Sequence, residues 1–376
     1  KNTQMREILG IPRGHRNPSS KLSVGVVTFK DRDGPSLSNR PHVVAMREYL
    51  ASREIRDVDF EIFDLQFVGA DELLQKHFDI LVLDARQESL PAFLQGVERL
   101  PFSKLADYVL VAGSYLSSPD TAAIVRQKIK DKLPRAFIAD RESEPALAGL
   151  AEFVLNPGMP ILLAPNLTIS TSVEEVRTQD ERTDISFLKQ GIYPFTEELK
   201  KSPWFNYFVE MSRGCYFAHC TFCQDWMLHG RGWRPYPVEN AIQVFRELNL
   251  AGIGTVFTFD KSFWGDDLER AEKIARGLIA IGNKVRYTVA LRADDVIQGE
   301  YLLELFKQSG MSLVFIGPES YEENTLRRFA KGTDAATNLE AIRILREHHI
   351  DFGLGFIIDP LSTIDELGRS LTIMSQ

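Results

Sequence analysis

The sequence predicts an α/β protein in two parts joined by a connector. A doubly wound, Rossmann-like parallel sheet is expected over residues 1–156, a connector over 157–205, and five barrel-type strand–helix units over 206–376. Three observations carry this prediction. The chain has 376 residues, more than one hydrophobic core ordinarily serves. Its apolar runs are short and continuous, as in strands buried on both faces of a parallel sheet. Stretches with helical spacing separate them, and regular strand–helix alternation builds parallel sheets.

The first strand is Ser23 to Phe29, an unbroken apolar run. Pro41 to Ala51 then has helical spacing, with Val43, Val44, Met46 and Leu50 on one side. Strands follow at 60–65, 78–83, 108–112 and 136–139, with helices at 70–77, 90–98, 119–131 and 144–151. In the connector, 160–164 and 167–171 read as a hairpin. A charged run from Glu174 to Asp184 and an irregular Gly191 to Phe195 suit an exposed linker with few core residues. Beyond it strands are expected at 206–212, 255–260, 285–292, 312–318 and 351–358. Their helices fall at 237–250, 266–281, 298–308, 336–348 and 363–376.

Composition narrows the function. Hydrophobic residues make up 44% and charged residues 26%, the balance of a soluble globular protein. No apolar run approaches the ~20 residues of a membrane span, and no secretory signal opens the chain. The net charge of −8 speaks against a nucleic-acid partner, which favours a basic surface. Lys1 at the start and an uncapped helix at the end read as cut termini, with a sixth barrel strand expected beyond Gln376.

All three cysteines of the chain fall in one short stretch, Cys215, Cys220 and Cys223, read as C-Y-F-A-H-C-T-F-C. A chain that clusters its only thiols binds something through them, and such thiols belong in a reducing cytoplasm. Structural zinc wants four closed ligands, and a cubane held by protein alone wants four cysteines. A cubane on three cysteines leaves one iron open to a substrate or cofactor. Zinc with His219 as fourth ligand is the plain alternative, although His219 adjoins Cys220 and the spacing is not that of a zinc finger. An odd thiol count suits no disulfide framework.

Tyr207 to Cys215 reads as a strand entering a glycine-hinged loop that carries the thiols. It resembles the first strand and cluster loop of the radical S-adenosylmethionine (SAM) enzymes. Their usual spacing is C-x3-C-x2-C, whereas this chain has C-x4-C-x2-C. The resemblance implies a partial (β/α)6 barrel with a [4Fe–4S] cluster on the three cysteines and SAM on the open iron, flanked by Phe222. Later strand ends extend it. Thr258 to Phe263 resembles the F-x-D-D-x-F segment beside the SAM amino group, which implies roles for Asp260 and Ser262. Arg292 would suit the SAM carboxylate or a substrate anion. Gly317-Pro318-Glu319-Ser320 is similar to G-x-E-S, with Glu319 accepting from ribose or amine, and Lys331-Gly332-Thr333 resembles K-G-x-T. Ile357 would pack adenine. Singly, Asp260 reads equally as a helix cap, Glu319 as an ion pair and Arg292 as a solvated charge. Their order, one per strand end, is what joins them.

The first half resembles the cobalamin-binding domain of one branch of these enzymes. Gly113 and Ser114 follow a strand, and Asp140 to Leu147 looks like a degenerate G-E-G-E segment that opens a helix. The loops after Phe29, Leu83 and Ala112 are the expected cradle. The D-x-H-x-x-G signature is missing, and Lys30-Asp31-Arg32-Asp33-Gly34 offers no histidine. A Rossmann-like domain without cofactor stays open, since topology does not specify a ligand.

The resemblance implies [4Fe–4S], SAM and cobalamin as cofactors. It also implies a one-electron reductant such as flavodoxin or ferredoxin, and radical methylation of an unactivated carbon in a small molecule. A radical SAM cyclase, rearrangement or dehydration enzyme with an empty first domain is the alternative. A non-catalytic metal-binding module is another. Enzymes needing a second cluster or an extra methylated thiol are disfavoured by the cysteine count. Trp226, Trp233, Tyr236 and Trp264 could stack on a flat ligand or serve as core. His219, Gln224 and Asp225 flank the thiols.

Overall fold

Five of the apolar runs pair side by side as β1 (Leu22–Thr28), β2 (Val58–Asp64), β3 (Phe78–Asp84), β4 (Ala106–Ala112) and β5 (Phe137–Ala139). They are parallel, in the order β2-β1-β3-β4-β5. β3 is buried at every position, which explains why its sequence shows no alternation. The order reverses between β1 and β3, the place where open α/β sheets leave a crevice beyond their strand ends. The computed structural model describes residues 20–30, 40–86, 89–113, 116, 122–156, 158–170, 175–186, 188, 191–202 and 205–374. These divide into two compact units, one reaching to Phe205 and the other running from Asn206. Residues 190–192 group with the second and 227–229 with the first.

The helices of the first unit follow the expected pattern. Pro41–Ser52 starts on a proline, whose missing N–H is harmless in a first turn. It buries Val43, Val44, Met46, Tyr49 and Leu50. Leu90–Arg99, Ala123–Lys132 and Ser143–Leu155 are the other long helices. Phe29 anchors the core edge-on to Phe93 and Phe102, with ring centroids 5.3 and 6.1 Å away.

The connector differs from its expectation as an exposed linker. β6 (Leu167–Ser170) pairs antiparallel with β5, and β7 (Glu175–Arg177) pairs antiparallel with β6, so the sheet has seven strands. Ile161, Leu167, Ile169, Ile185, Leu188, Tyr193 and Leu199 are buried. The Tyr193 hydroxyl donates to Asp64 at 2.7 Å. The expected strand at 167–171 is present as β6, but its partner β5 lies outside the connector, so local pattern did not show this core contribution. The expected hairpin is also absent, because Ile161–Leu163 is a single 3-10 turn.

In the second unit, β8 (Phe208–Val209) starts a parallel sheet, while β9 (Ser212–Cys215) leaves it to pair antiparallel with β10 (Gly232–Pro235). The expected single strand over 206–212 is therefore two. β11 (Thr255–Thr258), β12 (Arg286–Leu291), β13 (Met311–Glu319) and β14 (Phe352–Phe356) complete the sheet, in the order β14-β13-β12-β11-β8. The helices Val238–Leu250, Leu268–Ala280 and Ala335–Glu347 lie between strands in the chain. Val256, Tyr287, Val289, Val314 and Ile316 are buried, while the alternating Phe257, Thr288, Ala290 and Phe315 are not. The sheet thus has one packed face and one open face.

The expected helix 298–308 is interrupted at Gly299, giving Ala293–Gln298, a 3-10 turn and Leu303–Ser309. A Cβ on Gly299 would stand 2.3 Å from the Trp264 ring, so the break makes room for that indole. Trp264 and Tyr236 are buried core, not ligand platforms. A short helix, Glu323–Arg328, was not expected from the sequence. Among the described residues no helix is long and apolar enough to cross a membrane.

Candidate functional site at the cysteine loop

The cysteine loop is pinched at its base by the β9–β10 ribbon, in which Cys215 lies opposite Gly232 and Gly214 opposite Trp233. Gly214 has φ +80°, and a Cβ there would stand 2.2 Å from the Gly232 carbonyl oxygen. Only glycine permits that approach. The Cys223 backbone N–H reaches the Cys220 carbonyl at 3.3 Å. Thr221 ties the loop tip to the turn after Glu323–Arg328, its N–H donating to the Phe329 carbonyl and its hydroxyl to that of Arg328, each at 3.0 Å.

All three thiols are half-buried. Burial pushes Cys220 up, opposed by the Lys331 and Arg292 cations, and burial likewise raises Cys223. Cys215 and Cys223 both act on Cys220 electrostatically, so the three share one neighbourhood. Among the described residues no three His, Cys, Asp or Glu side chains already converge as a metal site. The donor set nevertheless fits a cubane with one open iron: three sulfurs on one pinned loop, with two buried cations, Lys331 and Arg292, that favour the thiolate of Cys220. His219 makes a poor fourth ligand, because its Nδ1 accepts from Arg231 at 3.2 Å.

Of the strand-end residues expected at the site, Asp260 and Arg292 contact the cysteine stretch or the residues just before it, while Glu319 meets Lys331 and Ile357. Asp260 is 4% exposed and accepts from the Met211 N–H at 3.1 Å and from the Ser212 hydroxyl. Burial pushes its carboxyl up to about 7, against the pull of those hydrogen bonds. Its role in the fold is to hold the start of β9, so it is not the helix cap that was the alternative. Arg270 braces the same segment, donating to the Met211 carbonyl at 2.9 Å and the Tyr236 carbonyl at 2.8 Å. Ser262 is fully buried, and its carbonyl accepts from Trp233 Nε1 at 3.1 Å.

Arg292 is not a solvated charge. It grips Asp294 with two hydrogen bonds of 2.9 and 3.0 Å, donates to the Lys331 carbonyl at 3.1 Å, and lies 4.0 Å over the Phe217 ring. Phe222, 36% exposed, meets Phe329 edge-on with Lys331 6.0 Å over its ring. Glu319 takes a left-handed φ of +63°, and its carboxylate accepts from Lys331 at 3.3 Å. Its carbonyl accepts from the N–H of half-buried Ile357 at 3.0 Å. A Cβ on Gly317 would overlap Glu319 Oε1 at 2.1 Å, so the glycine admits this carboxylate.

In the first unit, Gly113 has φ +146°, and a Cβ on it would stand 2.1 Å from the Ala85 carbonyl. Ser114 lies outside the described residues, as do Asp31 to Gly34. Sequence reasoning missed Tyr216, Arg270 and Asp295, which join segments distant in the chain. An acid at the start of a helix carries no mark beyond an ordinary cap.

This arrangement defines a class. Residues 209–371 match the family model described as the radical SAM superfamily. The matched stretch is a radical SAM domain, which implies a [4Fe–4S] cluster and SAM. It is similar to 4'-phospho-dehydrooxetanocin synthase of Priestia megaterium, with 26% identity over 88% of this chain and 47% of that protein. It is also 30% identical to hopanoid C-3 methylase of Methylococcus capsulatus, over 40% of this chain and 28% of the other. Among solved structures, the cobalamin-dependent SAM radical enzyme OxsB with aqua-cobalamin superposes with a TM-score of 0.81 at 20% identity. The match covers 96% of this chain and 52% of that one. The radical SAM methyltransferase TsrM of Kitasatospora setae gives 0.75 at 15%, over 95% and 70%. At such identities the likeness is one of fold, and that fold is the Rossmann-like sheet followed by the radical SAM barrel. The chain spans about half the length of the first of these relatives.

Proposed function

We propose that the chain is a cobalamin-dependent radical SAM enzyme that methylates an unactivated carbon of a small molecule. The observation that carries this is the three-cysteine loop, with no fourth thiol in the chain, pinned among the ends of a five-stranded parallel sheet and preceded by a doubly wound sheet. In the resembled enzymes the bound cluster and SAM supply a 5′-deoxyadenosyl radical, with cobalamin supplying the methyl group.

This chain's residues bind, orient and exclude water. Cys215, Cys220 and Cys223 would hold the cluster through their sulfurs, with the Lys331 and Arg292 cations opposing the effect of burial at Cys220. Asp260, Ser262, Arg292, Glu319 and Ile357 form the SAM side of the site. The Arg292 guanidinium is already committed to Asp294, so it contributes a fixed positive field. Phe217 and Phe222 on the loop each carry a cation over the ring, Arg292 and Lys331 respectively. Gly113 and Ser114 are the proposed cobalamin contacts, and flavodoxin or ferredoxin is the proposed electron donor.

A second reading has a specific basis. Matched relatives include the anaerobic magnesium-protoporphyrin IX monomethyl ester cyclase of Cereibacter sphaeroides, 32% identical over 41% of this chain, so ring formation without methylation is the competitor. Anaerobic reconstitution with iron, sulfide and hydroxocobalamin separates the two. Methylation predicts iron, sulfide and cobalt together in the protein, with SAM-dependent formation of methylcobalamin. Deoxyadenosine formed without corrinoid uptake would overturn methylation in favour of the second reading. Zinc without sulfide would leave only a metal-binding module.

A further inference from the structure

Asp295 has no part in the roles given above, yet it is where three segments of the second unit meet. It stands in the first turn of Ala293–Gln298 and is 4% exposed. Its carboxylate accepts from the Tyr216 hydroxyl at 2.5 Å, from the Ser262 hydroxyl at 3.3 Å and from the Arg292 backbone N–H at 3.0 Å. Tyr216 follows the first cysteine directly. Ser262 and Arg292 belong to the ends of β11 and β12, which the proposed function gives to SAM. A helix cap would need only the Arg292 contact. The other two bonds reach out of the helix, one to the cysteine loop and one to the segment after β11.

We propose that Asp295, through Tyr216, is a positioning residue that keeps the cysteine loop in register with the SAM-binding strand ends. The inference rests on the proposed function. A carboxylate buried this deeply makes strong charge-assisted bonds to hydroxyl donors, and here they lock two segments that would otherwise shift independently. The neighbouring Arg292 side chain, fixed by Asp294 and lying over Phe217, holds the next residue of the same loop. Both residues after Cys215 are thus clamped by the end of β12. A misplacement of about 1 Å between a bound reactant and its reacting centre is enough to cost about a hundredfold in rate.

The test uses the reconstituted protein with Tyr216→Phe, Asp295→Asn and the double variant. The readouts are iron and sulfide content, thermal unfolding, the change that SAM makes in the electron paramagnetic resonance spectrum of the reduced cluster, and KM and kcat for deoxyadenosine formation. Tyr216→Phe is expected to keep wild-type iron, sulfide and unfolding midpoint. Its KM for SAM should rise about tenfold, the loss expected for one hydrogen bond to a charged group, and the spectral response to SAM should shrink. The double variant should be no worse than Asp295→Asn alone, since the two residues act as one unit. Additive effects, or a Tyr216→Phe protein with wild-type KM and spectral response, would overturn the inference. Should Asp295→Asn fail to fold, Tyr216→Phe decides by itself. A wild-type protein that takes up no cluster removes the proposed function and this inference together. An intact wild-type response with an unaltered Tyr216→Phe removes the inference alone.

Discussion

The two sheets finish their strands in different ways. In the second unit Asp260, Ser262, Arg292 and Glu319, at the ends of β11, β12 and β13, each have a partner from another segment. In the first unit the charged groups at the strand ends are closed by the sheet's own neighbours. Asp64 takes the Tyr193 hydroxyl, Asp84 the His42 ring at 3.1 Å, and Asp140 the Arg126 guanidinium and Thr168 hydroxyl. These bonds stabilise a fold, and nothing about them selects a ligand. The second set bonds across segments of its own unit instead: Asp260 to Met211 just before the cysteine loop, Ser262 to Asp295, and Arg292 and Glu319 to Lys331.

Removing the thiols should break this contrast most completely. Any one of Cys215, Cys220 and Cys223 changed to alanine is expected to abolish cluster uptake, read as iron and sulfide per chain, and with it deoxyadenosine formation. The first unit should keep its fold, read by circular dichroism. A variant that still held a stoichiometric cubane would show that the loop does not use all three sulfurs.

Two glycines offer a matched pair. Gly214 and Gly113 both sit at positive φ with a carbonyl about 2 Å from where a Cβ would stand, so alanine at either should cost about 2–4 kcal/mol. Chemical denaturation measures that cost. Gly214→Ala should also lower iron content, because Gly214 is in the ribbon that closes the cysteine loop. Gly113→Ala should leave iron content unchanged. Equal loss of iron in both variants would mean that the site depends on global stability instead of on loop geometry.

How much of this was legible in the sequence follows the same division. The thiol cluster was readable because the chain's three cysteines fall together, and the positions of the strand ends because apolar runs recur in a repeating strand–helix pattern. Parallel strands buried on both faces announced themselves for the same reason. The contribution of 157–205 to the first sheet was only partly readable: 167–171 read as a strand, but its pairing with β5 depends on a partner outside the connector, and Tyr193 stands alone in an irregular stretch. The pairing of Tyr216 with Asp295 spans 79 positions, and no local pattern encodes which of Asp294 and Asp295 faces the loop. The split of Tyr207 to Cys215 into two strands depends on Gly232, a partner on the far side of the loop.

The most gradual of the expected effects concerns pH. Burial raises Asp260 to about 7, so between roughly pH 4 and 7 the folded second unit holds a proton that the unfolded chain has released. Stability must therefore fall as pH rises through that window, by at most about 1.4 kcal/mol per pH unit from this group. Asp84 runs the other way. Burial alone would raise it, but His42, Arg86 and Arg40 together hold it below the usual carboxylate range. Its contribution is complete above the unfolded value near 4 and is lost as pH falls through the folded one. Urea denaturation of the apo chain between pH 4 and 8 reads both slopes. Asp260→Asn should flatten the loss between pH 4 and 7 and leave the acid limb intact, because the acid limb belongs to the carboxyls held low, Asp84 and Asp359 among them. A wild-type chain whose second unit gained stability from pH 4 to 7 would mean that the Ser212 and Met211 hydrogen bonds outweigh burial at Asp260, making it an ionised anchor of β9.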